Sequence, residues 1–123
     1  FFLSPKLLCR KAALNAVSLL HDEAQEQKAV ELYDQQPESI RQEILRVVRA
    51  INSGRHTQFL VRAFRTATSK NTREIALTSL YAYGEEGRST FELLRHDLNE
   101  NEKDRILMAQ IDAVDILNQM RTL

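Results

Sequence analysis

Arg10, Arg41 and Arg73 lie 31 and 32 residues apart, and each opens the same run of apolar positions. Three, four, seven and ten residues after them come Ala13, Leu14, Val17 and Leu20, then Ile44, Leu45, Val48 and Ile51, then Ala76, Leu77, Leu80 and Tyr83. Twenty residues after them come Val30, Val61 and Leu93. Any amphipathic helix matches another, so agreement in a single helix means little. A period that returns in two successive helices constrains far more, and it predicts stacked helix pairs, each burying its stripe against the next. Three Gly and two Pro among 123 residues suit long helices with few breaks and disfavour turn-rich β architectures.

Local signals place the expected helices. Ser4-Pro5 is an N-cap followed by proline at the first helical position, and apolar spacing continues to Leu20. After the polar stretch His21 to Glu23, a second helix is expected over Ala24 to Tyr33 with Val30 and Leu32 inward. Pro37 opens a third, with a stripe at Ile40, Ile44, Val47, Val48 and Ile51 and a stop at Ser53-Gly54. The fourth runs through Leu60, Ala63, Phe64 and Ala67. Asn71 with Glu74 reads as the start of a fifth, ending before Gly84, and Ser89-Thr90-Phe91-Glu92 reads as a capping box opening a sixth to about Leu98, with Leu93 and Leu94 inward. Asn101 caps a seventh carrying Leu107, Met108, Ile111, Val114 and Leu117. No strand signal appears. The fourth copy of the repeat, anchored at Arg105, would put Asp112 and Asp115 in the core, whereas anchoring at Asp104 restores Leu107, Met108, Ile111 and Val114, a slip of one residue.

The third repeat, Asn71-Thr72-Arg73-Glu74-Ile75-Ala76 leading to Leu77, Leu80, Gly84, Gly87, Phe91, Leu93 and Leu94, follows a polar-x-Arg-x-x-Ala-x-x-x-Leu-x-x-x-Gly outline. In this the chain resembles the HEAT-like repeats, particularly the short bacterial form of the phycobilisome-lyase type. The other repeats match in their apolar positions and the Arg. The resemblance implies an all-α, right-handed α-solenoid of about seven helices in three to four repeats, and no particular activity. It also implies a ladder in which an acidic residue closing one repeat pairs with the basic residue opening the next. Asp34 and Asp97 hold that place 24 residues after Arg10 and Arg73, while Arg65 holds it in the middle repeat, so the ladder is expected to break there, leaving a solvated Arg or one that recruits an anion.

No catalytic, cofactor or metal set assembles from the sequence. Glu92 and His96 share a helical face at i, i+4, but His21 and His56 fall in other repeats and there is no HExxH pattern, so both are expected as solvated side chains on the helix surface. Cys9, the single cysteine, excludes an internal disulfide and is expected as a packed thiol on an apolar helix face. Gly84-Glu85-Glu86-Gly87 has an acidic centre that would repel phosphate and reads as a turn. No apolar run approaches the ~18 residues of a membrane span. Residues 1–123 read as one domain, and with Phe as the first residue the chain is expected to be a piece of a longer protein, Phe1, Phe2 and Leu3 being expected to cover an open face of the stack or to continue a preceding element. The lack of disulfides suits the cytosol and leaves the compartment open.

Seventeen basic and 17 acidic side chains balance overall, but not along the chain. Residues 41–73 carry Arg41, Arg46, Arg49, Arg55, Arg62, Arg65, Lys70 and Arg73 against Glu43 alone, a net of +7, between segments of −2 and −5. Three function classes follow. A protein-binding scaffold leads, because solenoids present extended surfaces. A nucleic-acid or phosphate binder using the basic middle is second, weakened by overall neutrality. An enzyme in its own right, such as a lyase acting on a bound chromophore, is third. For the scaffold, offsets five and eight from each repeated Arg point away from the core and select Asn15, Ser18, Arg46, Arg49, Thr78 and Tyr81. The expected site is Arg46, Arg49 and Tyr81 gripping an acidic segment of a protein partner, with Asn15 and Thr78 adding polar contacts and Arg62 and Arg65 facing elsewhere.

Overall fold

A computed structural model describes residues 7–100 and 102–104. These form six α-helices and two 3-10 turns and no strand. The helices are α1 (Leu7–Leu20), α2 (Glu23–Glu31), α3 (Glu38–Ile51), α4 (Thr57–Thr66), α5 (Lys70–Tyr81) and α6 (Gly84–Leu94), with 3-10 turns at Tyr33–Gln35 and Arg95–Asp97. A further helical turn starts near Glu100, where Asn99 and Glu102 cap each other, the Glu102 N–H donating to the Asn99 side chain at 2.9 Å and the Asn99 N–H to the Glu102 carboxylate at 3.2 Å. The expected start at Ser4-Pro5, the cap at Asn101 and the stripe from Leu107 to Leu117 lie outside the described residues.

Several helix ends differ from expectation, each for a local reason. His21, at φ 50, ends α1, with the Asp22 N–H reaching back to the Val17 carbonyl, and Asp22 then caps α2 by accepting from the Gln25 N–H. The second helix therefore ends at Glu31, short of Tyr33, with Val30 and Leu32 half-buried. Asn52, at φ 51, stops α3 ahead of Ser53-Gly54, since Asn enters the left-handed region at modest cost. Ser69 caps α5 by accepting from the Thr72 N–H, so Asn71 sits inside the helix.

The largest correction is α6. Ser89 and Thr90 lie within the helix, and the presumed turn at 84–87 is its first turn. Gly84, at φ +63, reverses the chain straight after α5. Glu85 and Glu86 then sit where the helix dipole favours negative charge. Gly87 lets α6 lie against α5, because a Cβ there would stand 2.3 Å from the Leu80 carbonyl oxygen.

The odd helices α1, α3 and α5 pack side by side in that order; α2 lies against α1 and α3, while α4 makes its main contact with α5, and α6 packs on α5 and α4. The repeated positions meet at these seams. Leu14, Leu45 and Leu77 are all buried, as are Val17, Val48 and Leu80 one turn later. A polar clamp joins the N-terminal ends of α3 and α5: the Thr72 hydroxyl donates to Glu38 at 2.7 Å and accepts from the Gln42 amide at 3.2 Å.

Three apolar expectations fail. Leu93 is 80% exposed, because the buried side of α6 is the i, i+4, i+7 set of Gly87, Phe91 and Leu94, and Leu93 falls on the far side. Leu20 is 77% exposed, whereas its counterparts Ile51 and Tyr83 are buried. Cys9 is exposed while its counterparts Ile40 and Thr72 are buried. Both residues belong to the side of α1 that no described helix covers, and together with Ala12, Ala13, Ala16 and Val17 they line a shallow apolar groove.

Candidate functional site

The adjacency of α1, α3 and α5 sets Asn15, Arg46, Arg49, Thr78 and Tyr81 at equivalent outward positions on three neighbouring helices. Asn15, Arg46 and Arg49 are exposed. The Arg46 guanidinium donates to Glu43 one turn earlier at 2.6 Å, so part of its charge is already met, whereas Arg49 forms no ion pair among the described residues. Thr78 and Tyr81 are half-buried rather than fully exposed. The Thr78 hydroxyl turns back to the carbonyls of Glu74 and Ile75, at 3.0 and 3.1 Å. The Tyr81 ring meets Phe91 edge-on at 5.3 Å, and the Arg88 guanidinium lies over it at 4.9 Å. Tyr81 also forms one wall of a cleft of about 270 Å³ that Asn52, Gly84, Glu85 and Arg88 complete. The arrangement offers cations and an aromatic ring on one face, with Glu43 and Glu85 at its margins.

Half of the eight basic side chains of the middle segment, Arg46 among them, meet a carboxylate within the chain. The Arg62 guanidinium meets the Asp34 carboxylate at 2.6 Å, Arg55 meets Glu23 at 3.4 Å, and Arg73 meets Glu102 at 2.8 Å while lying 3.9 Å over the Phe64 ring. Arg41 donates to the backbone carbonyls of Tyr33 and Asp34, at 3.2 and 2.6 Å. The expected ladder is thus rewired. Arg41 reads the end of the 3-10 turn through its carbonyls, and the Asp34 carboxylate is taken by Arg62 from the next helix pair. Arg65 is exposed on α4, and the side chain of Asp97 lies outside the described residues.

A buried polar cluster escaped the sequence reading. Glu26 on α2 is fully buried, and its Oε1 lies 3.2 Å from His56 Nε2, where α4 begins, and 3.3 Å from the donating Ser53 hydroxyl. The phenol oxygen of Tyr83, between α5 and α6, accepts from the His56 backbone N–H at 3.1 Å and sits 3.2 Å from Ser53 Oγ. Glu26 Oε2 is buried without a hydrogen-bond partner. Loss of hydration pushes the Glu26 carboxyl above its ordinary 4.5, against the opposing pull of His56 and the Ser53 hydrogen bond. The signal was in the sequence, since Glu26 precedes buried Ala29 and Tyr33 at helical spacing and so occupies an apolar position of α2.

Among the described residues no three His, Cys, Asp or Glu side chains converge as a metal would need. Glu92 pairs with Arg95 at 3.0 Å, and His96 is exposed in the following 3-10 turn. No described helix is long and apolar enough to cross a membrane. Comparison of the chain with family models, with curated proteins and with solved structures found no match.

Proposed function

We propose that this chain is a non-catalytic protein-binding scaffold: a right-handed HEAT-like α-solenoid of three to four repeats that receives an acidic segment of a protein partner on its concave side, formed by α1, α3 and α5. The observation that carries the reading is the side-by-side order of the odd helices, which lines up Arg46, Arg49 and Tyr81 with Asn15 and Thr78 beside them. Arg grips carboxylates through paired hydrogen bonds, and Arg with Tyr is a frequent core of binding hot spots. Nucleic-acid binding through residues 41–73 is the weaker reading. Arg41, Arg46, Arg55, Arg62 and Arg73 already have partners within the chain, which leaves Arg49, Arg65 and Lys70 to meet phosphates.

The test is binding of a fluorescent oligoglutamate peptide and, separately, of a short DNA duplex. Peptide binding lost in the Arg46→Glu/Arg49→Glu double variant and kept in Arg62→Glu/Arg65→Glu is the expected result, with thermal melts showing both folded. Equal loss in the two variants, or tight duplex binding with steep salt dependence and no peptide binding, would overturn the assignment.

A further inference from the structure

The Glu26 cluster joins parts of the chain that lie far apart in sequence. Its members come from α2, from the loop leaving α3, from the entry to α4 and from the junction of α5 and α6, so all three helix pairs meet there. Within it, Glu26 Oε2 is buried without a hydrogen-bond partner. An ionised Glu26 keeps its Oε1 satisfied by Ser53 and by a His56 N–H, but half of its charge then rests on an oxygen with neither donor nor water-facing surface. Protonation removes that charge and leaves the packing unchanged.

We propose that Glu26 is the proton-binding element of a latch across this junction: the protonated carboxyl holds α2 against the α4 entry and Tyr83, and release of its proton to solvent loosens the contact. The charges acting on it are few. His56 favours the ionised form, and Glu23, three residues earlier on α2, favours the protonated one while itself bound by Arg55. Arg10 on α1 bonds Gln36, Arg41 and the Glu43–Arg46 pair on α3 are engaged elsewhere, and Tyr83 accepts from the His56 backbone N–H.

The sign of the effect follows from linkage. The folded protein holds the Glu26 proton to higher pH than the unfolded chain, whose carboxyl titrates at its ordinary 4.5. The stabilisation is complete below that value and is lost as pH rises through the raised folded value.

Thermal melts of wild type, Glu26→Gln and His56→Gln across about pH 4 to about pH 9 test this. Gln mimics the protonated acid, so the wild-type melting temperature should fall relative to Glu26→Gln as pH rises. Removing His56, which favours ionisation, should move that fall to higher pH. Amide exchange, corrected for its intrinsic pH dependence, should quicken along Glu23–Glu31 in wild type and not in Glu26→Gln. Should Glu26→Gln fail to fold, the Glu26 carboxyl ¹³C resonance of the wild type reports the titration directly, with a midpoint above 4.5 expected. Parallel pH profiles for wild type and Glu26→Gln, or a carboxyl midpoint at or below 4.5, would overturn the latch.

Discussion

Gly87→Ala should destabilise the protein, although simple helix propensity says the reverse. Gly87 lies in the first turn of α6, and replacing an unconstrained helical Gly by Ala usually gains about 0.5–1 kcal/mol. Here the new methyl would lie 2.3 Å from the Leu80 carbonyl oxygen and 2.7 Å from Tyr83 Cβ. Ordinary contact needs about 3.5 Å, so roughly 1 Å of movement is required. Neither neighbour can give it, as one is the backbone of α5 and the other the Cβ of a buried residue. The helix must therefore back away, thinning the cover over Phe91 and Leu94. Overpacking of this kind costs about 1–3 kcal/mol, enough to outweigh the propensity gain. Urea melts of Gly87→Ala beside Gly54→Ala read the difference. Gly54 has open space around it and φ +81, so its variant should lose only the about 1–2 kcal/mol of left-handed strain and keep the α5–α6 contact. Retained near-ultraviolet tyrosine dichroism in Gly54→Ala and an altered signal in Gly87→Ala should accompany the melts. A Gly87→Ala protein as stable as wild type would show that α6 does not pack this closely.

Leu45→Ala and Leu77→Ala should each cost about 2–5 kcal/mol in urea melts, since both side chains are fully enclosed at the seams between odd helices, whereas Thr78→Ala should cost under about 1 kcal/mol. Glu38, whose carboxyl is held below its ordinary 4.5 by hydrogen bonds from Ser69 and Thr72, contributes stability that is present above 4.5 and is lost as pH falls through its lowered folded value. Acid melts of Thr72→Val should show a shallower decline there than wild type, and an unchanged slope would argue against the clamp between α3 and α5.

The apolar frame was legible because periodicity is a local property that packing then uses: offsets four and seven from each Arg proved buried in all three repeats. Helix ends were read less well. Competing caps lay a few residues apart, as with Asn52 ahead of Gly54, Ser69 ahead of Asn71, and Gly84 ahead of Ser89, and the choice between them depends on how close the next helix must come. Leu20 and Cys9 failed for a different reason, since the same repeat position is buried or bare according to whether a described helix packs over it. The Glu26 cluster was hidden because residues 27 to 30 apart in sequence satisfy one another only after the helices stack. For the outward face, the offsets select Asn15, Arg46 and Arg49, which are exposed, and Thr78 and Tyr81, which are half-buried, and neither the cover Phe91 and Arg88 give Tyr81 nor the grip of Glu43 on Arg46 follows from a periodic pattern.

The ion pairs of the basic middle have a consequence for the order of the repeats. Arg55 and Arg62 give their charges to Glu23 and Asp34, which precede the middle repeat, and Arg73 gives its charge to Glu102, near the far end. Electroneutrality therefore belongs to the sequence of modules and to no single one. Two repeats could not be exchanged, duplicated or deleted on shape alone, even though their apolar seams are nearly equivalent. A transplanted middle repeat would arrive with guanidinium groups whose acids stayed behind, and a shortened chain would leave Glu102 enclosed without its counterion. Apolar periodicity makes these units stackable, and the crossing charges make them non-interchangeable.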